Sequence, residues 1–593
     1  MSGEFKNASI YDVFAATANA HPRRPALKYK RLGEYVAIGY LELLERVDEA
    51  AAGLLALGVK KGDRVGIMSF NRPEWVIADL AVLKLGGIVV PFYNNLPASY
   101  LRYVLHDSGV ETLFLENAQI LEVVDTIRED IPTLKDIILF DATGCRSRHP
   151  YHTLADLPRP REPKLAAVAG EDIATIVYTS GTTGEPKGVM LTHSNIVSNA
   201  LASIERMNAR PGDVLLSFLP LCHMFERTCG NYSMLFCGGT VAYAENITTV
   251  AADALKIRPT VGIAVPRVLE KINEAVEQAV QNGSPLIRAL VADATRDLND
   301  HVNRKYRRER IPLWLKVKCF FHRRIIARRF QRICGGRLRF IVTGGAPLDR
   351  QLAKILYIFG FNVIEGYGLT ETSPVISCNS PEQNRLGTVG KPLPGVAVKI
   401  GLCDEILVKG VNVMKGYFRK PEATAQALDK DGWLHTGDQG RFDEHGHLVI
   451  TGRIKEIIVT SYGKNIAPAP IESKLCRRPY IFQAFLYGDK KNHLVALIVP
   501  AQDQLEQYAR AQGMADTDYP ALLKRDEVKK LIAQEVEAVN RELAPYERVK
   551  SFALLAEAFS VENGLLTPLL KVRRSQVVQA YGPLIEALYD RPE

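Results

Sequence analysis

Two patterns of hydrophobic residues, one typical of strands and one typical of helices, alternate along the first half of the chain. Short runs rich in β-forming residues recur at 64–69, 87–91, 112–115 and 137–140, and helical stretches such as 40–57 separate them. Strands that alternate with helices are typical of βαβ units, which build parallel sheets. We therefore expect parallel sheets from about Ile10 to Val265.

The pattern changes twice further along. A long polar helical stretch covers residues 267–334, and a strand at 338–342 follows it. Beyond Gly390, short strands and turns indicate a small β-rich subdomain. After residue 452, three more strands precede helices, which is enough for a small α/β domain. The predicted fold class is α/β, with a large N-terminal domain at residues 1–452 and a small mobile C-terminal domain at residues 453–593.

Composition predicts a large core and the cellular compartment of the protein. With 593 residues, of which 47% are hydrophobic, the chain can bury a large core. The first twenty residues lack the basic flank and apolar core of a secretory signal. The most apolar stretch, 75–92, contains Asp79 and Lys84, so we predict no membrane-spanning helix. Nine cysteines without a CxxC pair fit neither a zinc site nor a disulfide framework, so the expected location is a reducing cytoplasm.

Charge is unevenly distributed. The formal net charge of the chain is +9. The segment between Arg304 and Arg332 alone contains twelve lysines and arginines and one acid, Glu309, so the rest of the chain is about neutral. Trp314, Phe320 and other apolar residues lie among these cations. Such a surface predicts peripheral contact with anionic lipid at the inner face of a membrane. The alternative is a solvated helical face. Nucleic acid is not expected because no recognition motif accompanies the charge, and the oligomeric state stays open.

A loop with the chemistry of a phosphate site follows the predicted strand at 173–178. Glycines allow close backbone approach, hydroxyls and backbone N–H groups donate to phosphate oxygens, and one lysine supplies a cation. The motif is not a Walker A loop, because Gly188 follows the lysine. A flexible Ser/Thr/Gly loop is the alternative. The candidate phosphate-binding residues are Thr179, Ser180, Gly181, Thr182, Thr183, Gly184 and Lys187.

Residues 178–188, with Val189-Met190-Leu191-Thr192-His193 after them, resemble the signature of the adenylate-forming enzymes. In that family the loop holds the pyrophosphate portion of ATP. Four more segments match in the same order, and the resemblance runs from about Ile10 to Tyr581. It implies ATP as substrate and Mg²⁺ as cofactor.

The resemblance also assigns an adenosine site. Glycines would let the backbone approach adenine, Tyr367 would offer an aromatic face, Thr370 would donate to the α-phosphate, and Glu371 would be a hard oxygen ligand for Mg²⁺. The candidate residues of this site are Gly344, Gly345, Ala346, Pro347, Glu365, Gly366, Tyr367, Gly368, Thr370 and Glu371.

Three later segments complete the family pattern. By resemblance, Asp438 accepts both ribose hydroxyls, Arg453 contacts the ribose, and Lys455 is the hinge on which the C-terminal domain swings. Lys571 resembles the catalytic lysine, a cation that offsets the repulsion when a carboxylate attacks the α-phosphate. The match departs at Gly452, where many relatives have Asp, and at two further positions, Tyr462 and Leu569.

The subfamily has its own evidence. Residues 219–227, Leu-Pro-Leu-Cys-His-Met-Phe-Glu-Arg, resemble a segment of long-chain acyl-CoA synthetases, as do the hinge continuation at 459–468 and the Leu-Thr-Pro before the lysine motif. His223 would border the carboxylate end of the acyl site, and the small residues at 229–233 would leave room for an acyl tunnel or simply permit tight packing. This resemblance implies a fatty acid as substrate and coenzyme A as co-substrate.

Two other functions stay open. One is a fatty acyl-AMP ligase that passes its product to a carrier protein, although no insertion is evident after the hinge. The other is a non-catalytic, nucleotide-dependent lipid binder, against which Lys187, Glu371 and Lys571 argue.

Overall fold

Parallel strands dominate the first 390 residues, as the alternation predicted. The computed structural model describes residues 5, 7–158, 166–179, 186–307, 309–462, 464–514, 518–567 and 571–589. The strands of this part are β1 (Pro25–Arg31), β2 (Glu34–Gly39), β3 (Arg64–Met68), β4 (Ile88–Phe92), β5 (Thr112–Leu115), β6 (Asp136–Leu139), β7 (His152–Thr153), β8 (Ile173–Thr179), β9 (Lys187–Thr192), β10 (Val214–Ser217), β11 (Thr240–Tyr243), β12 (Val261–Ala264), β13 (Phe340–Thr343), β14 (Val363–Gly368), β15 (Val375–Cys378) and β16 (Lys391–Pro392).

Helices connect and cover these strands. They are α1 (Ile10–Ala20), α2 (Tyr40–Ala56), α3 (Pro73–Lys84), α4 (Ala98–Ser108), α5 (Ala118–Asp125), α6 (His193–Met207), α7 (Ser233–Phe236), α8 (Val250–Ile257), α9 (Pro266–Gln281), α10 (Pro285–Arg307), α11 (Leu313–Phe330) and α12 (Arg350–Ile358). A π-helical segment, Phe225–Tyr232, precedes α7. At the end of β9, Thr192 caps α6 by accepting a hydrogen bond from Asn195 N, so the strand turns directly into a helix.

The rest of the chain forms the two smaller units that the sequence predicted. The first contains β17 (Val396–Ile400), β18 (Glu405–Gly410), α13 (Pro421–Ala427), β20 (Leu434–Phe442) and β21 (Leu448–Arg453). Strand β19 (Gly416–Tyr417) lies in the same stretch of chain but pairs with β9 of the N-terminal part. The second contains β22 (Ile458–Val459), β23 (Asn465–Ile466), α14 (Pro468–Cys476), β24 (Ile481–Tyr487), β25 (Leu494–Pro500), α15 (Gln502–Ala511), α16 (Tyr519–Leu522), α17 (Asp526–Asn540), β26 (Val549–Leu554) and α18 (Arg574–Ala587).

Two large sheets organise the N-terminal part. One has the order β16-β15-β14-β13-β12-β10-β11-β1-β2 and the other β19-β9-β8-β4-β3-β5-β6-β7. Their central strands pair in parallel, whereas β9 pairs antiparallel with β8 and β15 antiparallel with β14. In parallel α/β sheets, ligands bind at the carboxyl ends of the strands. The ends of β8, β10, β13 and β14 lead into the predicted phosphate, acyl and adenosine segments.

The smaller sheets are antiparallel or mixed. Strands β17, β18, β20 and β21 form a four-stranded antiparallel sheet, and β24, β25 and β26 form a three-stranded sheet. Strand β21 ends at Arg453, one residue beyond the domain boundary predicted between 452 and 453. That boundary stays a prediction. The strand predicted at 338–342 begins instead at Phe340, because Gly335 and Gly336 reverse the chain with positive φ after the preceding helix.

A buried ion pair ties three of these elements together. Arg227 in the π-helical segment donates to Asp79 in α3, and both side chains are completely buried. Tyr232 OH donates to the second oxygen of Asp79 at 2.6 Å, and Arg227 Nη1 donates to Thr175 Oγ1 in β8 at 2.9 Å. Burial raises the pKa of Asp79, while its partners oppose that rise. All three groups are thus hydrogen-bonded inside the core, as buried charges require.

Within the part of the chain that the structure describes, no helix combines the length and apolar character needed to cross a bilayer. The nine cysteines all lie in described residues and all are free.

The buried pair makes the fold sensitive to Asp79→Asn. This variant leaves the Arg227 guanidinium inside the core without an anionic partner, so we expect the free energy of unfolding to fall by about 3–5 kcal/mol. The midpoint of urea unfolding measures the loss. Glu42→Gln is the matched control, because it breaks the exposed Arg46–Glu42 pair and should cost at most about 1 kcal/mol. Equal losses in the two variants would contradict the special role of the buried pair.

Candidate active site

The predicted phosphate loop connects two paired strands. Strands β8 and β9 are antiparallel, and Thr179 faces Lys187 across the pair. Both of these candidate residues therefore lie at the end of the strand pair from which the loop begins. Residues 180–185, which include the candidates Ser180, Gly181, Thr182, Thr183 and Gly184, lie outside the described residues. The roles predicted for them stay predictions.

Lys187 and Glu371 meet at an aromatic residue that the sequence reasoning missed. The Lys187 ammonium lies 5.1 Å from the ring centroid of Tyr417, and Tyr417 OH donates to Glu371 Oε1 at 2.9 Å. Burial, followed by the charge of Glu371, raises the pKa of Tyr417, so its hydroxyl stays protonated and donating. Tyr417 lies in a two-residue strand without a recognisable motif; only the pairing of β19 with β9 brings it here.

The adenosine candidates gather at the ends of β13 and β14. Gly344 follows β13, and an added Cβ would lie 3.4 Å from the carbonyl oxygen of Gly366 on β14. At Gly368 an added Cβ would lie 1.8 Å from the Pro374 oxygen, so only glycine fits. Glu365 is buried, and burial raises its pKa to about 7. Gly345, Ala346 and Pro347 are exposed beside them.

Asp438 is the centre of a three-residue hydrogen-bonded group. It lies opposite Arg453 in the β20–β21 pair and is 3% exposed. Arg453 Nε donates to Asp438 Oδ1 at 2.7 Å, and Tyr367 OH donates to Asp438 Oδ2 at 2.7 Å. The structure thus brings together Tyr367, the candidate for the adenine face, with Asp438 and Arg453, the candidates for ribose binding. Their roles toward a nucleotide stay predictions.

Lys571 reaches this group from the C-terminal domain. Its backbone N–H donates to Thr567 Oγ1 at 3.1 Å, while residues 568–570 lie outside the described part. Lys571 keeps accessible surface, yet desolvation within the cleft and the nearby Arg453 lower its pKa, with Asp438, Glu456 and Glu371 opposing. A further contact, the 2.6 Å ion pair between Arg477 and Asp349, links the C-terminal domain to the N-terminal part.

His223 lies within electrostatic range of Lys571. Its Nδ1 accepts a hydrogen bond from Phe225 N at 3.2 Å, which assigns the proton of the neutral ring to Nε2. Burial and the charge of Lys571 lower the pKa of His223 to about 4. At neutral pH the imidazole is therefore an uncharged Nε2–H donor.

A cavity joins three predicted segments. Its lining includes Thr179 from the phosphate loop, Thr370 from the nucleotide segment and His223, together with apolar side chains such as Phe92, Tyr93 and Leu96. An apolar cavity with a few convergent polar groups is the usual form of a small-molecule site.

The acyl and hinge candidates are placed more coarsely. Residues 229–233 fall on the π-helical segment and the start of α7, where an added Cβ at Gly230 would lie 3.0 Å from the Glu226 carboxylate. Glu226 is buried, and burial raises its pKa to about 8. Lys455 lies in a short 3₁₀ turn, Ile454–Glu456, directly after the last strand of the four-stranded sheet. Its side chain is not among those described.

Comparison with known families agrees with this geometry. The model of the AMP-binding enzyme family matches residues 14–418, and that of the AMP-binding enzyme C-terminal domain matches residues 455–593. The chain therefore belongs to the AMP-binding enzyme family, the adenylate-forming enzymes.

Individual relatives define the branch of that family more narrowly. The chain is 35% identical over 591 residues to the long-chain-fatty-acid–CoA ligase FadD15 of Mycobacterium tuberculosis, covering 98% of both chains. It is 33% identical to the long-chain-fatty-acid–CoA ligase 5 of Rattus norvegicus, covering 99% of this chain and 89% of the relative.

Solved structures agree on the fold. The adenylation domain of a carboxylate reductase from Mycobacterium chelonae superposes with a TM-score of 0.75 at 24% identity, covering 98% of this chain and 91% of that one. The predicted α/β architecture, with its large N-terminal and small C-terminal domain, is thereby confirmed.

The proximity of Lys571 to His223 predicts a coupled titration. In Lys571→Met the neighbouring cation is gone, so the pKa of His223 should rise above about 4, while burial keeps it below that of a solvated histidine. NMR of imidazole-labelled protein over about pH 8 to 3.5 measures the midpoint, and His223→Asn identifies the signal. An unchanged midpoint would contradict the closed placement of Lys571.

Proposed function

We propose that this chain is an AMP-forming long-chain-fatty-acid–CoA ligase. A long-chain carboxylate and ATP give acyl-AMP and pyrophosphate, and the thiol of coenzyme A then takes the acyl group and releases AMP. The strongest structural support is that Lys571, from the C-terminal domain, lies within electrostatic reach of Glu371, Asp438 and His223.

The first half-reaction requires two anions to meet. The Lys571 ammonium lowers the barrier by offsetting charge that develops between the carboxylate and the α-phosphate. Its lowered pKa arises from desolvation, and in such a site an ammonium acts more strongly than in water. We infer that the neutral His223 orients the acid by donating from Nε2 to a carboxylate oxygen, since its low pKa excludes a competing cation at neutral pH.

The nucleotide would be held by the remaining candidates. Lys187 and the hairpin loop would take the polyphosphate, Asp438 and Arg453 the ribose, and the glycines of β14 would lie against adenine. Glu371 is the proposed magnesium ligand, because a carboxylate is a hard oxygen donor and Tyr417 orients it. When bound, Mg²⁺ neutralises phosphate charge.

The second half-reaction would need a rearrangement. In the closed form Lys571 occupies the region that the thiol of coenzyme A must approach. We infer a swing of the C-terminal domain about Lys455, in the turn that follows the last strand of the four-stranded sheet. We also propose a cytoplasmic enzyme that touches the inner face of a membrane through the basic segment between Arg304 and Arg332.

The substrate class is tested by thiol consumption with ATP, Mg²⁺ and coenzyme A across saturated acids from acetate to stearate, with AMP release followed in parallel. We expect the rate to peak at long chains, with AMP and acyl-CoA in equal amounts, because each buried methylene contributes about 0.8 kcal/mol. A peak at acetate would exclude the long-chain assignment. Acyl-AMP that accumulates without thiol loss would instead support the acyl-AMP ligase alternative.

The role of Lys571 is tested by Lys571→Ala. We expect acyl-AMP formation to fall by about 10²–10³-fold, because one charge-stabilising group is lost from the transition state. Thioester formation from supplied acyl-AMP should stay within about twofold. Lys550→Ala, an exposed lysine of the same domain, is the matched control and should leave both rates unchanged. A comparable loss in both half-reactions would refute the division of labour.

A further inference from the structure

An ion pair joins the C-terminal domain to the N-terminal part close to the adenosine candidates. Arg477 Nη1 lies 2.6 Å from Asp349 Oδ2, and the two side chains are 33% and 16% exposed. Asp349 follows the adenosine candidates at 344–347 by two residues. Arg477 is the C-cap residue of α14, the first helix after the turn Ile454–Glu456. We call Arg477 and Asp349 the interdomain pair.

Asp349 uses its two carboxylate oxygens for different partners. Oδ1 accepts a hydrogen bond from Leu352 N at 2.8 Å and caps α12, whereas Oδ2 faces Arg477. Asparagine caps a helix as well as aspartate does, so the cap requires only one oxygen and no charge. The charge of Asp349 therefore acts on Arg477 and on the adenosine site, where it adds to the burial that raises the pKa of Glu365 to about 7.

A second ion pair connects α14 to the segment that contains Lys571. Glu472 on α14 accepts a hydrogen bond from Arg574 Nη1 at 2.7 Å, and the same oxygen accepts one from Leu486 N at 2.8 Å. Arg574 begins α18, three residues after Lys571. Glu472 lies on the helix that Arg477 caps, so the contact that holds Arg477 also determines where Lys571 lies.

Lys571 needs such a contact because its place in the cleft is electrostatically unfavourable. Desolvation, followed by the charge of Arg453, lowers the pKa of Lys571, and the surrounding carboxylates only partly oppose this. Insertion of the ammonium into the cleft therefore has a free-energy cost. An attraction outside the cleft offsets that cost without occupying the space of the substrates. A partly exposed ion pair is weak enough to break in every turnover.

We propose that the interdomain pair positions Lys571 for acyl-AMP formation. Arg477 and Asp349 act through Lys571: they hold the C-terminal domain in its closed orientation, while Glu472 and Arg574 fix Lys571 within that domain. The interdomain pair separates when the domain swings for the second half-reaction. This proposal rests on the proposed function for the reaction that Lys571 serves.

The interdomain pair is tested by two single variants of the full-length protein and their combination. Arg477→Ala and Asp349→Asn each remove the attraction, and Asp349→Asn keeps the cap of α12. We expect each to slow acyl-AMP formation by about two- to fivefold, because an ion pair of this exposure shifts the closed population by about that factor. The double variant should lose no more than either single variant. Thioester formation from supplied acyl-AMP should not fall.

Lys474→Ala is the matched control. Lys474 also lies on α14, but it pairs at 3.0 Å with Glu542 inside the C-terminal domain. Its removal leaves the interdomain pair intact, so both half-reactions should keep their wild-type rates. Equal losses in Lys474→Ala and Arg477→Ala would overturn the proposal, and so would additive losses in the double variant.

The imidazole of His223 gives a signal that does not depend on activity, because the charge of Lys571 acts on it. At neutral pH the Nε2 resonance of labelled His223 should move in Arg477→Ala and in Asp349→Asn part of the way toward its position in Lys571→Met. Lys474→Ala should leave it in place. An unmoved resonance in both pair variants would overturn the proposal. If the resonance moves as expected but the wild type forms no acyl-AMP from any acid, the proposed function alone fails.

Discussion

The pairing of Asp79 with Arg227 is the constraint on which the active-site layout depends. Arg227 lies four residues after His223, and it also donates to Thr175, four residues before the start of the phosphate loop at Thr179. One buried guanidinium therefore fixes the segment that contains His223 relative to the strand that carries the predicted phosphate loop. A buried ion pair rarely adds much net stability, but breaking it is costly, so it enforces one arrangement over others.

The closed cleft has a balance of charge that neither domain has alone. Lys571 and Arg453 are near each other, which would be unfavourable without Asp438, Glu456 and Glu371 around them. Arg453 ends strand β21 of the four-stranded sheet, whereas Lys571 lies beyond the predicted hinge at Lys455, so the balance exists only when the C-terminal domain covers the site. Anionic substrates would add to the attraction. The same arrangement keeps His223 neutral, because an imidazolium would be a third cation in a desolvated space.

Sequence predicted the elements well and the contacts between them poorly. The alternation of strands and helices predicted the parallel sheets, and the glycine and lysine motifs identified most of the candidate site residues. Asp79 was noticed only because it interrupts an apolar stretch. Its partner lies 148 residues away, and pairing over that distance depends on the fold. Tyr417 was missed for the same reason, since only a short antiparallel pairing carries it to Glu371.

Chain-length preference has a different physical origin from the catalytic motifs. In the proposed mechanism the lysine, the carboxylates and the histidine act on the nucleotide and on the substrate carboxylate, which every acid substrate shares. An acyl chain offers only apolar area, and each further methylene contributes about 0.8 kcal/mol as long as a wall remains to bury it. The residues at the end of an acyl tunnel set its length only through the size of their side chains. We propose that the small residues of the π-helical segment have this role; an added Cβ at Gly230 would lie 3.0 Å from the Glu226 carboxylate. Substrate range can therefore change through substitutions that leave every motif intact.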